Sequence, residues 1–180
     1  MHFQFAPLSF VVVASAAIAS SPLKRDGSTI VMDVNAFGSA LDSFGSACSA
    51  FPSTGGTGAQ ANIIMRTMQA FNNAINKATA DANRSPTFTE TQSFAIVNAT
   101  KTLEGKFTDA LGKLEAKEEP LLAFPFGGVI VTQLDSLKNG TIALWAAFLP
   151  KISSNQISSA EIILGFYVAG YDGAIESFDS

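Results

Sequence analysis

The chain is poor in the residues that most enzymes rely on. It holds one histidine, His2, and one cysteine, Cys48, in 180 residues. His2 lies in an N-terminal apolar stretch expected to be removed, which would leave the mature chain without imidazole. Ser–His catalysis, Cys–His catalysis and histidine-based metal sites are then excluded. Cys48 has no second cysteine to pair with and no partner base. It shares a stripe with Leu41 and the phenylalanines, which predicts a small buried hydrophobe; intermolecular pairing is the alternative. Two carboxylate groups remain for acid–base work, Glu115/Glu118/Glu119 and Asp172/Glu176. The first sits at a helix end beside Lys113 and Lys117, and the second is a surface i,i+4 pair, so both read as solvated charge. No nucleophile-elbow or phosphate-loop pattern occurs. The expectation is no catalytic residue, no metal, no cofactor and no enzyme activity, because catalysis needs a convergent constellation.

Charge is scarce as well. Charged residues make up 14% of the chain, against about 25% in an ordinary globular domain. The surface must therefore lean on Ser, Thr, Asn, Gln and Ala, a composition that suits an extracellular, sugar-coated protein. The net charge is −4, and the eleven Lys and Arg stand singly apart from Lys24-Arg25. Nucleic-acid binding needs clustered cations and is set aside.

Long hydrophobic runs are missing beyond the N-terminus. Leu8 to Ala19 is apolar and ends in Ala17-Ile18-Ala19, a small-x-small cleavage pattern. It is shorter than the roughly 20 residues that a membrane-spanning helix needs. Residues 1–19 are expected to be a signal peptide. Residues 20–25 form a short propeptide ending in the dibasic Lys24-Arg25, and 26–180 form the folded domain. Asp135 and Lys138 interrupt the later apolar stretch, so no transmembrane segment is expected. The C-terminal AIESFDS has no hydrophobic tail for a lipid anchor.

What is present is helical periodicity. In FGSALDSFGSACSAF, Phe37, Phe44 and Phe51 stand seven apart, with Leu41 and Cys48 between them and little bulk elsewhere. With Ile30 and Val34 they form one face of a first helix, about 28–51. Pro52 ends it, and STGGTG is a loop of breakers. A second helix, about 59–82, carries Ile64, Met68, Phe71, Ile75 and Ala78. A third opens on a capping-box pattern, Thr87 with Glu90, and carries Ile96, Thr100, Leu103, Phe107, Leu111 and Leu114. A fourth begins near Pro125 and runs to about 149 with Ile130, Leu134, Leu137, Thr141, Leu144 and Phe148. A fifth follows Pro150 with Leu164, Val168, Tyr171, Ile175 and Phe178, while Ile162, Ile163, Phe166 and Tyr167 widen its apolar arc. Strand signals are few. The expected fold is all-α, a five-helix antiparallel bundle behind a signal peptide.

Three N-x-S/T sequons begin at Asn83, Asn98 and Asn139. Asn98 and Asn139 each stand two residues from a core position, about 200° round the helix, and so face outward. They and the loop residue Asn83 are candidate glycosylation sites.

The apolar interior is the remaining functional feature. Aromatic stripes build either a packed core or the wall of a ligand cavity. A packed core is the commoner outcome, but small residues around the rings can leave a tunnel between helices. Thr100 and Thr141 interrupt apolar stripes, where a hydroxyl meets a lipid headgroup or bonds back to its own helix. The candidate interior site comprises Phe37, Leu41 and Phe44 from the first helix and Ile64, Met68, Phe71 and Ile75 from the second. Leu103 and Phe107 from the third, Leu134 and Leu137 from the fourth, and Leu164, Val168 and Tyr171 from the fifth complete it, with Thr100 and Thr141 as polar contacts.

With its signal peptide, Lys24-Arg25 pair, Phe/Leu/Ile-striped helices, breaker loops, absent disulfides and scattered sequons, the chain resembles a fungal family. That family is hydrophobic surface-binding protein A and the antigenic cell-wall galactomannoproteins. The resemblance implies a secreted or wall-associated, non-enzymatic protein. The partner it implies is a fatty acid or other apolar ligand, or a hydrophobic surface. It also implies recruitment of a secreted polyester hydrolase, or a structural, antigenic mannoprotein role, as alternatives.

Overall fold

The computed structural model describes residues 26–124 and 127–179. The expected signal peptide, the 20–25 propeptide and the Pro125 helix start lie outside the described residues. Seven α-helices follow in order: α1 (Gly27–Ala50), α2 (Gly58–Arg84), α3 (Glu90–Lys101), α4 (Glu104–Glu115), α5 (Glu118–Leu122), α6 (Gly127–Phe148) and α7 (Ile157–Phe178). No strand occurs among the described residues.

Capping sets where these helices begin. The Asp26 carboxylate accepts from the Ser28 and Thr29 amides at 3.1 Å and starts α1. Thr57 and Gln60 form a reciprocal box at α2. The box expected from Thr87 and Glu90 is instead made two residues later by Thr89 and Gln92. The reason lies upstream. Phe88 is buried and its amide donates to the Lys151 carbonyl at 2.8 Å, which holds this segment outside the helix.

The expected third helix is kinked into α3 and α4. The Leu103 amide bonds to the Thr100 carbonyl at 3.1 Å, tightening the turn, and the Tyr167 hydroxyl donates to the same carbonyl at 3.0 Å. A side chain inserted into the i→i−4 ladder is a recognised cause of a kink. Gly105 just beyond it lowers local helix propensity. Counting α3–α4 as one member and setting aside the short α5, five members build the bundle.

Those members form a closed ring, in the order α1, α2, α6, α7, α3–α4 and back to α1. Consecutive long helices run antiparallel. Asp33 on α1 meets Lys77 on α2, and Lys138 on α6 meets Asp172 on α7. Five is an odd number, so the ring also juxtaposes parallel neighbours. Lys106 of α4 pairs with Asp42 of α1, while Lys117 just beyond α4 reaches Ser53 just beyond α1. Asn72 of α2 bonds Ser136 of α6.

One end of the ring is tied by its connections. Lys151, between α6 and α7, donates to the carbonyls of Ala82, Asn83 and Ser85 at the C-terminal end of α2. The Ser153 amide donates to the buried Ser93 hydroxyl at 3.0 Å. Gly170 lets α7 approach α4, because a Cβ there would lie 2.5 Å from the Phe107 ring. A single core fills the centre of the ring.

Candidate functional site

A run of rings crosses the interior. Phe71 of α2 lies 4.6 Å from Phe37 of α1, and Phe37 lies 6.3 Å from Tyr167 of α7. Tyr167 and Tyr171 stand 4.6 and 4.9 Å from Phe107 of α4. The phenylalanine stripe of α1 is thus the inward wall of a space to which every ring member contributes.

That space is bounded by Val34, Phe37, Ala78, Thr100, Thr141, Leu144, Trp145 and Tyr167, and its volume is about 10 Å³. This is about one water molecule's worth. In this conformation the interior is filled. No charged side chain lines it, and its side-chain polar groups are the Thr100, Thr141 and Tyr167 hydroxyls and the Trp145 indole N–H. Thr100 bonds back to the Ile96 carbonyl at 2.9 Å, and Thr141 lies 3.4 Å from the Tyr171 hydroxyl. Burial raises both tyrosine hydroxyls well above the ordinary phenol range, so they stay neutral donors.

Twelve of the expected interior residues are buried in this one core: Phe37, Leu41, Phe44, Ile64, Met68, Phe71, Ile75, Leu103, Phe107, Leu134, Leu137 and Tyr171. Thr100 and Thr141 are buried with them. Leu164 and Val168 are not; both are half-buried at the flank of α7. The buried face is that of Ile163, Tyr167, Tyr171, Ala174 and Phe178. An apolar arc this wide admits several registers, and the partners of the tyrosine hydroxyls and the Gly170–Phe107 approach select this one. Trp145 and Tyr167 are the interior residues that stripe reasoning did not choose. Their signal was bulk combined with a polar tip on the two most apolar helices.

Elsewhere, Asn83, Asn98 and Asn139 are exposed, whereas the hydroxyl residues of their sequons, Ser85, Thr100 and Thr141, are buried. Cys48 is buried and free, and burial pushes its thiol up to about 12. The most buried charges are Asp33 of α1 and Asp81 of α2, both bonded to the single ammonium of Lys77. Asp33 Oδ2 has no hydrogen-bond partner. Burial, more than the nearby Asp81 charge, raises the Asp33 carboxyl above its ordinary value. No group of three metal-ligating side chains is found among the described residues, and no helix there is long and apolar enough to cross a membrane.

Several solved structures share this fold. AFMP4P in complex with palmitic acid is 21% identical, with a TM-score of 0.81, and the match covers 85% of this chain and 99% of that one. Ligand binding domain 1 of the Penicillium marneffei MP1 protein, complexed with arachidonic acids, is 18% identical over 84% of this chain and 98% of that one, with a TM-score of 0.77. Domain 2 of the same protein, complexed with multiple arachidonic acids, is 18% identical over 87% and 97%, with a TM-score of 0.78. No curated protein sequence matches the chain. A family model described as hydrophobic surface binding protein A matches residues 27–149, from the start of α1 to the end of α6. The match spans more than half of the sequence, and the chain belongs to the hydrophobic surface binding protein A family.

Proposed function

We propose that the protein binds single-chain lipids of the fatty-acid class inside the ring, and that it is not an enzyme. The observation that carries this reading is the space beneath Tyr167. All five ring members meet there, its side-chain polar groups are three hydroxyls and the Trp145 indole N–H, and no charge lines it. At about 10 Å³ it is far smaller than the roughly 300–1,000 Å³ of a ligand pocket. Binding therefore requires a helix to part, and α7 is the member we assign. Within the helix, the hydrogen bond that joins its middle to α3 is Tyr167–Thr100, beside apolar packing of the two helices. The fatty acids in the structures of similar fold support the same reading.

The test is titration with palmitate while following Trp145, the sole tryptophan, which lines the interior. Saturable change in its emission, with a lipid adduct in the native mass spectrum, is the expected result. Unchanged emission up to the palmitate solubility limit, with no adduct, would end the interior reading.

A second reading, adsorption to hydrophobic solids with recruitment of a secreted hydrolase, is favoured by the family and by exposed Met32, Ile63 and Ile142. Depletion by hydrophobic beads with the helical spectrum retained, and no lipid uptake, would support it. Residues 26–180 are proposed as the secreted domain, since Asp26 caps the first helix and the family match begins at residue 27. Glycans are proposed on the outward Asn83, Asn98 and Asn139, with wall association as their setting. Glycan mapping of secreted and wall-extracted protein decides both.

A further inference from the structure

The outer flank of α7 carries apolar surface that the interior does not use. Ile162 is 73% exposed, Phe94 of α3 59% and Phe166 39%. They are not scattered. Phe94, Ile162 and Phe166 line one groove of about 340 Å³ between α3 and α7. Phe166 also lines a second groove of about 400 Å³, between α4 and α7, with Phe107 and Leu111. Through this shared ring the two make one track along α7 from Gln156 to Gly170, about 21 Å at the helical rise. Each volume falls in the range of small-molecule pockets, and neither requires a helix to move.

The polar groups of the track are unevenly placed. Lys101, the last residue of α3, lines the groove near Phe166, where the two grooves join. Among the described lysines it is the one whose ammonium has neither a hydrogen bond nor an ion pair; Lys77, Lys106, Lys113, Lys117, Lys138 and Lys151 are all engaged. Asn98, Gln156 and Ser159 line the same groove, on the Phe94 side of Lys101. Glu104 lies one turn beyond Lys101, and Glu115 lines the far groove. A carboxylate head is thus attracted at Lys101 and repelled towards Glu104 and Glu115, so the chain runs the other way along α3, over Phe94 and Ile162. A neutral lipid would leave Lys101 unmatched. A partner helix, about 10 Å across, would bring Glu104 and Lys101 under one cover.

We infer that this outer track is a second lipid site, separate from the interior, that takes a single-chain carboxylate amphiphile with its head at Lys101 and its tail over Phe94 and Ile162.

Palmitate and hexadecanol, below their aggregation limits, are the probes for the full chain secreted from a eukaryotic host and trimmed with an endoglycosidase, because Asn98 sits on the groove rim. The variants are the double change F94S/I162S at exposed positions, K101Q and K101R, each checked for an unchanged thermal melt. Native mass spectrometry counts palmitate adducts, and Trp145 emission reports the interior alone. F94S/I162S should weaken one palmitate adduct about tenfold or more while the Trp145 response stays that of the wild type. K101Q should weaken that adduct about two- to fivefold, K101R should retain it, and hexadecanol should be indifferent to both. Equal adduct counts and affinities in the wild type and F94S/I162S would overturn the inference. So would loss of hexadecanol along with palmitate in K101Q, or self-association abolished by F94S/I162S with no adduct lost. Failure of the interior reading looks different: Trp145 is silent while the outer adduct persists.

Discussion

The hydroxyl of Tyr167 and the carbonyl of Thr100 meet at 3.0 Å, joining the middle of α7 to the kink between α3 and α4. The bond is buried and is the second one to this carbonyl, which also accepts from the Leu103 amide in the tightened turn. Tyr167→Phe keeps the ring stack and removes only this link. It should cost about 1 kcal/mol, a fall in Tm of roughly 2–4 °C for a chain of this size. If α7 is the helix that parts, palmitate should also associate faster in this variant. Calorimetry and stopped-flow emission from Trp145 check the two halves separately.

Two glycines of α7 make a matched pair. A Cβ on Gly170 would stand 2.5 Å from the Phe107 ring, whereas one on Gly173 would meet nothing within 4 Å. Gly170→Ala should lose about 1–3 kcal/mol through overpacking. Gly173→Ala should gain about 0.4–1 kcal/mol, because alanine restricts the unfolded chain and suits a helix. Urea denaturation of both variants reads the opposite signs.

Asp33 predicts a pH dependence. Burial and the Asp81 charge raise its carboxyl above 3.8, while Lys77 pulls the other way. Lys77 is 60% exposed, so solvent screens its pull and burial prevails. The folded chain then holds this proton more tightly than the unfolded chain does. The stabilisation is complete below pH 3.8 and is lost as pH rises through the raised folded value. Asp33→Asn should flatten the stability curve in that window and should be neutral or stabilising at pH 7, since it relieves a buried charge with an unpartnered oxygen. Urea midpoints from pH 3 to pH 8 compare the two proteins.

Cys48 should be unreactive toward thiol reagents in the native state and react only through opening of the bundle, since it is buried and its thiol is held up near 12. Cys48→Ala should cost about 1–2 kcal/mol through lost packing. Cys48→Ser should cost more, because it adds a hydroxyl to an apolar site. Labelling rates against urea concentration, with melts of both variants, decide this.

The sequence made the first two helices legible almost to the residue. Their stripes are narrow, and strong breakers such as Pro52 and the STGGTG loop bound them. The kink at 102–103 was hidden, because its cause is a hydrogen bond from a side chain 67 positions away. The cap at Thr89 was missed for a similar reason: Phe88 is held by Lys151 from another connection. In α7 the period was ambiguous rather than absent. Ile162, Ile163, Leu164, Phe166, Tyr167 and Val168 offer apolar groups nearly all round, and neighbours on α3, α4 and α6 choose among them. Whether the Phe37 stripe enclosed space or filled it depended on how far Trp145 and Leu144 reach across, and periodicity says nothing about reach.

The ring has a consequence for biosynthesis. α7 is its most C-terminal member, so the four other members are made before the wall that covers Phe37 and Phe107 exists. Under the proposed interior binding, a lipid met before α7 docks would be enclosed with no helix to pull apart. If the interior takes lipid as proposed, protein made in cells would then carry lipid that the same chain, refolded from denaturant in lipid-free buffer, lacks and takes up only slowly.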